Sequence, residues 1–176
     1  LAKNGLNAMI IKISGLLDGV HNFIFEEPVE KLDLSEPFQG NIKAEVKLNK
    51  SHHQIVLDSK LRAKAQFQCD RCGIDFDQML EANFEVVYLF GSSPAASENL
   101  NLTYLPYDAD KINISQDVRD YALLSVPMKK LCSEVCKGLC PKCGRNLNEG
   151  NCDCKFDELD SRWQPLIELK NKLNNK

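Results

Sequence analysis

Three stretches in the middle of the chain alternate apolar and polar residues. From Ile42 to Leu48, apolar Ile42, Ala44, Val46 and Leu48 are interleaved with Lys43, Glu45 and Lys47, the period-two pattern of a half-buried strand. After a polar loop from Asn49 to His53, the alternation resumes at Ile55 and runs through Leu57, Leu61, Ala63, Ala65 and Phe67. A third run sets Leu80, Ala82, Phe84, Val86, Tyr88 and Phe90 on one face. Strands with one polar face and short connections pair as antiparallel neighbours, so a meander is expected. His21 to Glu27 alternates weakly, as a short strand does, and Pro28 to Gly40 reads as a connector enclosing a brief turn at Val29 to Leu34.

Helical periodicity comes later. Asn113 or Ser115 can cap a helix that runs to about Ser125, with Val118, Tyr121, Ala122 and Leu124 available for burial and Pro127 ending it. Asp160 or Ser161 can cap a terminal helix whose Trp163, Leu166, Ile167, Leu169 and Leu173 form one apolar stripe, with Pro165 tolerated in the first turn. That stripe is expected to pack on the domain rather than bind a partner, with Trp163 a core anchor. The expected fold class is therefore α+β: an antiparallel β meander packed with a central and a C-terminal helix, plus a zinc-knuckle C-terminal segment. The division expected is residues 1–8 as an appended or upstream stretch before Met9, residues 9–101 as the β domain, and residues 102–176 as helix, cysteine segment and terminal helix packed on the sheet. Gly91 to Asn101, small and polar, separates the two.

Eight cysteines change this picture. Cys69-Asp70-Arg71-Cys72-Gly73 falls at the turn between the second and third alternating runs, and Cys140-Pro141-Lys142-Cys143-Gly144 repeats its form. In such a turn backbone N–H groups can point at the sulfurs, and glycine takes a conformation that side chains resist. Cys140, Cys143, Cys152 and Cys154 lie within one short segment and make a local four-thiolate set. Cys69 and Cys72 then need Cys132 and Cys136, which requires the segment after the helix to return to the hairpin tip.

Two tetrahedral four-thiolate sites are the usual arrangement for structural zinc, and two structural zinc ions are expected. Such sites leave no open position for water or substrate. Four disulfides are the alternative in an oxidising compartment, and an iron–sulfur cluster also suits four thiolates. Redox chemistry at one Cys-x-x-Cys fits less well, because neither pair opens a helix after a strand.

Composition and charge add limits. The 176 residues are 43% hydrophobic and 27% charged, enough apolar material for a core of its own. No apolar run approaches a membrane span and the beginning lacks a secretory layout, so a cytoplasmic location and reduced thiols are expected. The formal net charge of −3 argues against coating nucleic acid by bulk charge. Locally, Lys129, Lys130, Lys137, Lys142 and Arg145 face a single acid, Glu134, over that stretch. This is a solvated face or a phosphate-contacting surface. No Gly-rich phosphate loop or Ser/His/Asp order stands out, so no catalytic residue and no small-molecule substrate are expected. His52 and His53 read as solvated loop residues, and Asp157, Glu158 and Asp160 as acids at a helix start.

Taken together, CDRCG, the helix leading into SVPMKKLC, then CKGLCPKCGRNLNEGNCDC and a final DSRWQPL strongly resemble the YceD family of bacteria and plastids. The resemblance runs from about Met9 to Leu173. It implies a non-enzymatic role in accumulation of large-subunit ribosomal RNA, with ribosomal RNA or a pre-ribosomal protein as partner. By the same resemblance, the family's first cysteine pair falls on Cys69 and Cys72 and its C-terminal cysteines on the other six. Relatives that keep the first pair and the segment near Cys132 and Cys136 but lack the last four cysteines support the division proposed from spacing. The other reading open at this point is a protein-interaction module with structural zinc and no RNA contact.

Overall fold

The computed structural model describes residues 8–91, 102–154, 165, 166 and 170. The chain divides into two compact units, Leu1–Cys132 and Ser133–Lys176. The first is built on a five-stranded sheet of β2 (Gly19–Pro28), β3 (Phe38–Lys50), β4 (Gln54–Gln68), β5 (Asp75–Phe90) and β6 (Leu102–Leu105), in that spatial order. β2 to β5 form the antiparallel meander that their alternation dictates. β6 adds to β5 in parallel, with Val87 beside Leu102 and Phe90 beside Leu105, so the sheet is mixed. Two three-residue strands, β1 (Ile10–Lys12) and β7 (Lys111–Asn113), pair separately.

Register converts the sequence pattern into a core. Val46 of β3 stands beside Ser59 of β4, which stands beside Phe84 of β5, and the same face carries Ile42, Ala44, Leu48, Ile55, Leu57 and Leu61, all buried. The opposite face is a charged ladder, with Lys60 and Arg62 both reaching Glu81 and Lys64 reaching Asp77 at 2.7 Å. Such exposed pairs contribute little stability. The alternation therefore records which face is wet.

A single α-helix is seen among the elements of the described residues, α1 (Ser115–Leu124). It packs on the core face through buried Val118 and Ala122, with the Tyr121 ring stacked on Phe84 at 4.5 Å and 5°. Leu124 was expected to be available for burial but is 76% exposed, because it turns away from the Val118–Ala122 stripe. The start of α1 also differs from a simple cap. Asn113 Oδ1 accepts the Ser115 N–H at 3.0 Å, whereas the buried Ser115 hydroxyl accepts the Met9 N–H at 2.8 Å. Ser115 thus holds Met9 against the start of the helix.

Between β2 and β3 the brief turn is a 3-10 turn, Val29–Leu32, that buries Val29 and Leu32. Strand β3 begins earlier than its alternation, with a register shift between Gln39 and Ile42. Of the expected terminal helix, Pro165, Leu166 and Lys170 are helical. Trp163, Ile167, Leu169 and Leu173 lie outside the described residues, as do residues 1–7 and the acids Asp157, Glu158 and Asp160.

Candidate metal centres

The long β4–β5 hairpin ends in the first cysteine turn. The Cys69 N–H donates to the Ile74 carbonyl at 2.9 Å, and the Gly73 N–H donates back to the Cys69 carbonyl at 2.9 Å. Closing this loop places Gly73 at φ 71°, in the left-handed region that a Cβ disfavours. The second turn repeats the arrangement: Cys140 N–H to the Arg145 carbonyl at 2.8 Å, Gly144 N–H to the Cys140 carbonyl at 2.8 Å, and Gly144 at φ 72°. Two segments with unrelated flanks thus fold into the same knuckle.

In the first unit, the chain after α1 returns to the hairpin tip. The Asp70 N–H donates to the Lys130 carbonyl at 2.8 Å, and the Lys130 N–H donates to Asp70 Oδ2 at 2.7 Å. Lys130 Nζ sits 5.6 Å from the centre of the Phe67 ring, a cation–π distance. These contacts deliver Cys132, whose N–H donates to Cys69 Sγ at 3.4 Å and whose sulfur lies 3.6 Å from that of Cys72. Cys69, Cys72, Cys132 and Cys136 make one of two cysteine groups that could hold a metal ion.

In the second unit, Cys140, Cys143, Cys152 and Cys154 form the other group, their sulfurs within 4.8 Å of one another. Its loop is held by an isolated bridge between Leu139 and Asn146, by the Leu147 N–H on the Gly138 carbonyl at 2.9 Å, and by Arg145 Nη1 on the Asn151 carbonyl at 3.2 Å. Asn148 has a role that spacing did not reveal. Its Oδ1 accepts the Lys137 N–H at 2.8 Å while its Nδ2 donates to Cys136 Sγ at 3.3 Å. The hint in the sequence is the run of Asn146, Asn148, Gly150 and Asn151, a composition that favours side-chain to backbone bonds.

The electrostatics favour thiolates at defined positions. Cys69 is drawn down to about 6, chiefly by the N–H of Cys132 and, against its burial, by the N–H groups of Arg71 and Cys72. Cys140 is likewise drawn down to about 6 by the N–H groups of Cys143 and Lys142. Cys154 is pushed up to about 12, first by its side-chain hydrogen bond with Cys143 and then by burial. Without a cation, four adjacent sulfurs cannot all carry charge.

Each set fits a tetrahedral ion. Metal–sulfur bonds of about 2.3 Å give sulfur–sulfur edges of about 3.8 Å, and the 3.6 Å separation of Cys72 and Cys132 is close to that. It is far from a disulfide bond, which is about 2.05 Å long. The donor sets are all thiolate, so either group of four could hold a metal ion, with no protein position left open for substrate.

Comparison with known proteins identifies a family. Residues 57–170 match the family model described as large ribosomal RNA subunit accumulation protein YceD, a span that takes in all eight cysteines. The chain belongs to the YceD family. Among relatives, the chloroplastic large ribosomal RNA subunit accumulation protein YCED homolog 1 of Arabidopsis thaliana is 25% identical over 161 residues, covering 77% of this chain and 50% of that one. Its Zea mays counterpart is 47% identical over 49 residues, 27% of this chain and 17% of the other. An uncharacterized protein of Mycobacterium tuberculosis is 32% identical over 62 residues, 34% and 28% of the two chains. The chain thus spans half or less of the curated relatives it matches. No solved structure matches it.

The description of the family model and the names of the two plant relatives both refer to accumulation of the large ribosomal RNA subunit. The basic residues noted in the sequence fall in both units. Lys129, Lys137, Lys142 and Arg145 are exposed, whereas Lys130 is half-buried against Phe67. His52 is exposed and bonded to Asp18 at 2.9 Å. Among the described residues, no helix is long and apolar enough to cross a membrane.

Proposed function

We propose that this protein is a non-enzymatic factor, stapled by two structural zinc ions, that assists accumulation of large-subunit ribosomal RNA by contacting the RNA or a pre-ribosomal protein. The observation that carries the proposal is the family match across residues 57–170, because it encloses both four-cysteine sets. Cys69, Cys72, Cys132 and Cys136 would hold one ion, and Cys140, Cys143, Cys152 and Cys154 the other. The ions supply folding free energy, on the order of 10 kcal/mol for a structural zinc site. The protein's own part is presentation: Lys142 and Arg145 are exposed on the second knuckle, and Lys129 and Lys137 are exposed ahead of Cys132 and Cys140.

Lys130 contributes differently from its neighbours. Its amide and ammonium both serve the hairpin tip, so it also positions Cys132. Depleting the protein in cells should lower the ratio of large- to small-subunit ribosomal RNA, and an unchanged ratio overturns the proposal. The triple change Lys137→Glu, Lys142→Glu and Arg145→Glu should weaken association with pre-ribosomal particles.

A second reading keeps the zinc and removes the RNA contact. It is favoured by Met128, fully exposed, and by Val135, 82% exposed, apolar side chains set among the cations. Salt separates the two: binding through phosphates falls steeply between 50 and 200 mM salt, by about 10-fold or more for a few contacts. Apolar protein contact does not.

A further inference from the structure

Among the described residues, one edge of the five-stranded sheet is left open. Strand β2 is ten residues long, pairs with β3 on one side, and among the described residues has no backbone partner on the other. The opposite edge, β6, is only four residues. Edge strands are usually blunted by shortness, lysines, central prolines or bulges, because an open ladder recruits another strand. β2 reads GVHNFIFEEP: it is ten residues long, has no lysine, keeps an unbroken register with β3 and has its proline last, so Glu26 and Glu27 are its only charges.

Its side chains also want cover. Ile24 is 68% and Val20 54% exposed on the outer face. Phe23 and Phe25, on the core face, are half-buried with rings 6.5 Å apart. A cavity of about 720 Å³ reaches this edge, lined by Asn22, Phe23 and Ile24 of β2 and continuing across β3, β4 and β5.

We propose that a second copy of this chain supplies the missing neighbour, β2 pairing antiparallel with β2 about a two-fold axis at Ile24. The sequence is complementary to itself in that register. Ile24 faces Ile24 on the outer surface, and Phe23 faces Phe25 on the core side, twice. Asn22 meets Glu26 and His21 meets Glu27, so each acid opposes a hydrogen-bonding or basic side chain and no like charges meet. Centring the pair on Phe23 would put Glu26 against Val20 and Glu27 against Gly19, so neither acid would face a polar side chain across the pair; within the chain they keep Asn41 and Lys31. A two-fold axis normal to the sheet keeps the two core faces on one side, and isologous pairing of this kind closes after two copies.

Native mass measurement of the full chain tests this directly. Two chains per particle are expected for the wild type, and a monomer at every concentration overturns the proposal. Ile24→Lys puts two ammonium groups opposite each other at the axis, yet within the chain it lies beside Glu45 and should fold normally. It should be monomeric with an unchanged circular dichroism spectrum, whereas Ile24→Val should remain dimeric. Asn22→Glu, which lies beside Lys47 in its own chain, opposes Glu26 of the second copy and should also dissociate the pair. Folded Ile24→Lys and Asn22→Glu proteins that dimerise like wild type contradict the register and the proposal with it.

Discussion

Asp70 and Lys130 hold each other through two hydrogen bonds, one in each direction: the Asp70 N–H on the Lys130 carbonyl at 2.8 Å and the Lys130 N–H on the Asp70 carboxylate at 2.7 Å. The pair joins the tip of the β4–β5 hairpin to the segment after α1. Asp70→Ala removes the charge-assisted bond and should cost about 1–2 kcal/mol. Amide exchange at Lys130 should rise well above that of α1. Unchanged protection would show that Cys132 is held without this pair.

The two cysteine sets are predicted to bind metal independently. Cys69→Ser and Cys140→Ser should each lose about one zinc per chain. In Cys69→Ser, exchange should rise at residues 130–132 while the amides of Arg145 and Leu147 keep their protection. The reverse pattern is expected for Cys140→Ser. Loss of both ions from either variant would contradict independence.

Asp117 should make stability fall as pH rises through the acid range. Burial, and secondarily the nearby Asp120 charge, raise its pKa in the folded protein. The folded state therefore binds this proton more tightly than the unfolded chain. Its stabilising contribution is full below the ordinary aspartate value of about 3.9 and is lost as pH climbs through the raised value. Asp117→Asn should flatten that part of the profile and be more stable than wild type at neutral pH. Parallel denaturation curves for the two proteins across this range would refute the assignment.

Ser59 interrupts the apolar row of β4. It is 4% exposed, lines the cavity between Phe23 and Phe84, and its hydroxyl has no hydrogen-bond partner among the described residues. A buried hydroxyl without a partner costs stability, so Ser59→Ala should be neutral or stabilising by up to about 1 kcal/mol. Destabilisation in chemical denaturation would reveal a partner for this group.

The meander was legible because its faces differ: Ala44, Val46 and Leu48 go in while Lys43, Glu45 and Lys47 stay out, and period two records that contrast. β1, β6 and β7 were not legible, since three or four residues hold too little periodicity, and the parallel addition of β6 to β5 leaves no local trace. The partition of the cysteines rests on spacing and hairpin placement, which leave few pairings. The supports of the sites could not. Asn148 reaches Cys136 and Asp70 reaches Lys130 through contacts that fold geometry alone creates. Leu124 misled because helical spacing marks a stripe without saying where the underlying sheet ends.

The central claim is that eight cysteines form two closed, structural zinc sites. Elemental analysis of the purified protein tests it most directly. The account predicts a colourless protein with about two zinc ions per chain and no iron. A protein that holds iron and absorbs visible light, or one that carries no metal and has oxidised cysteines, would contradict it.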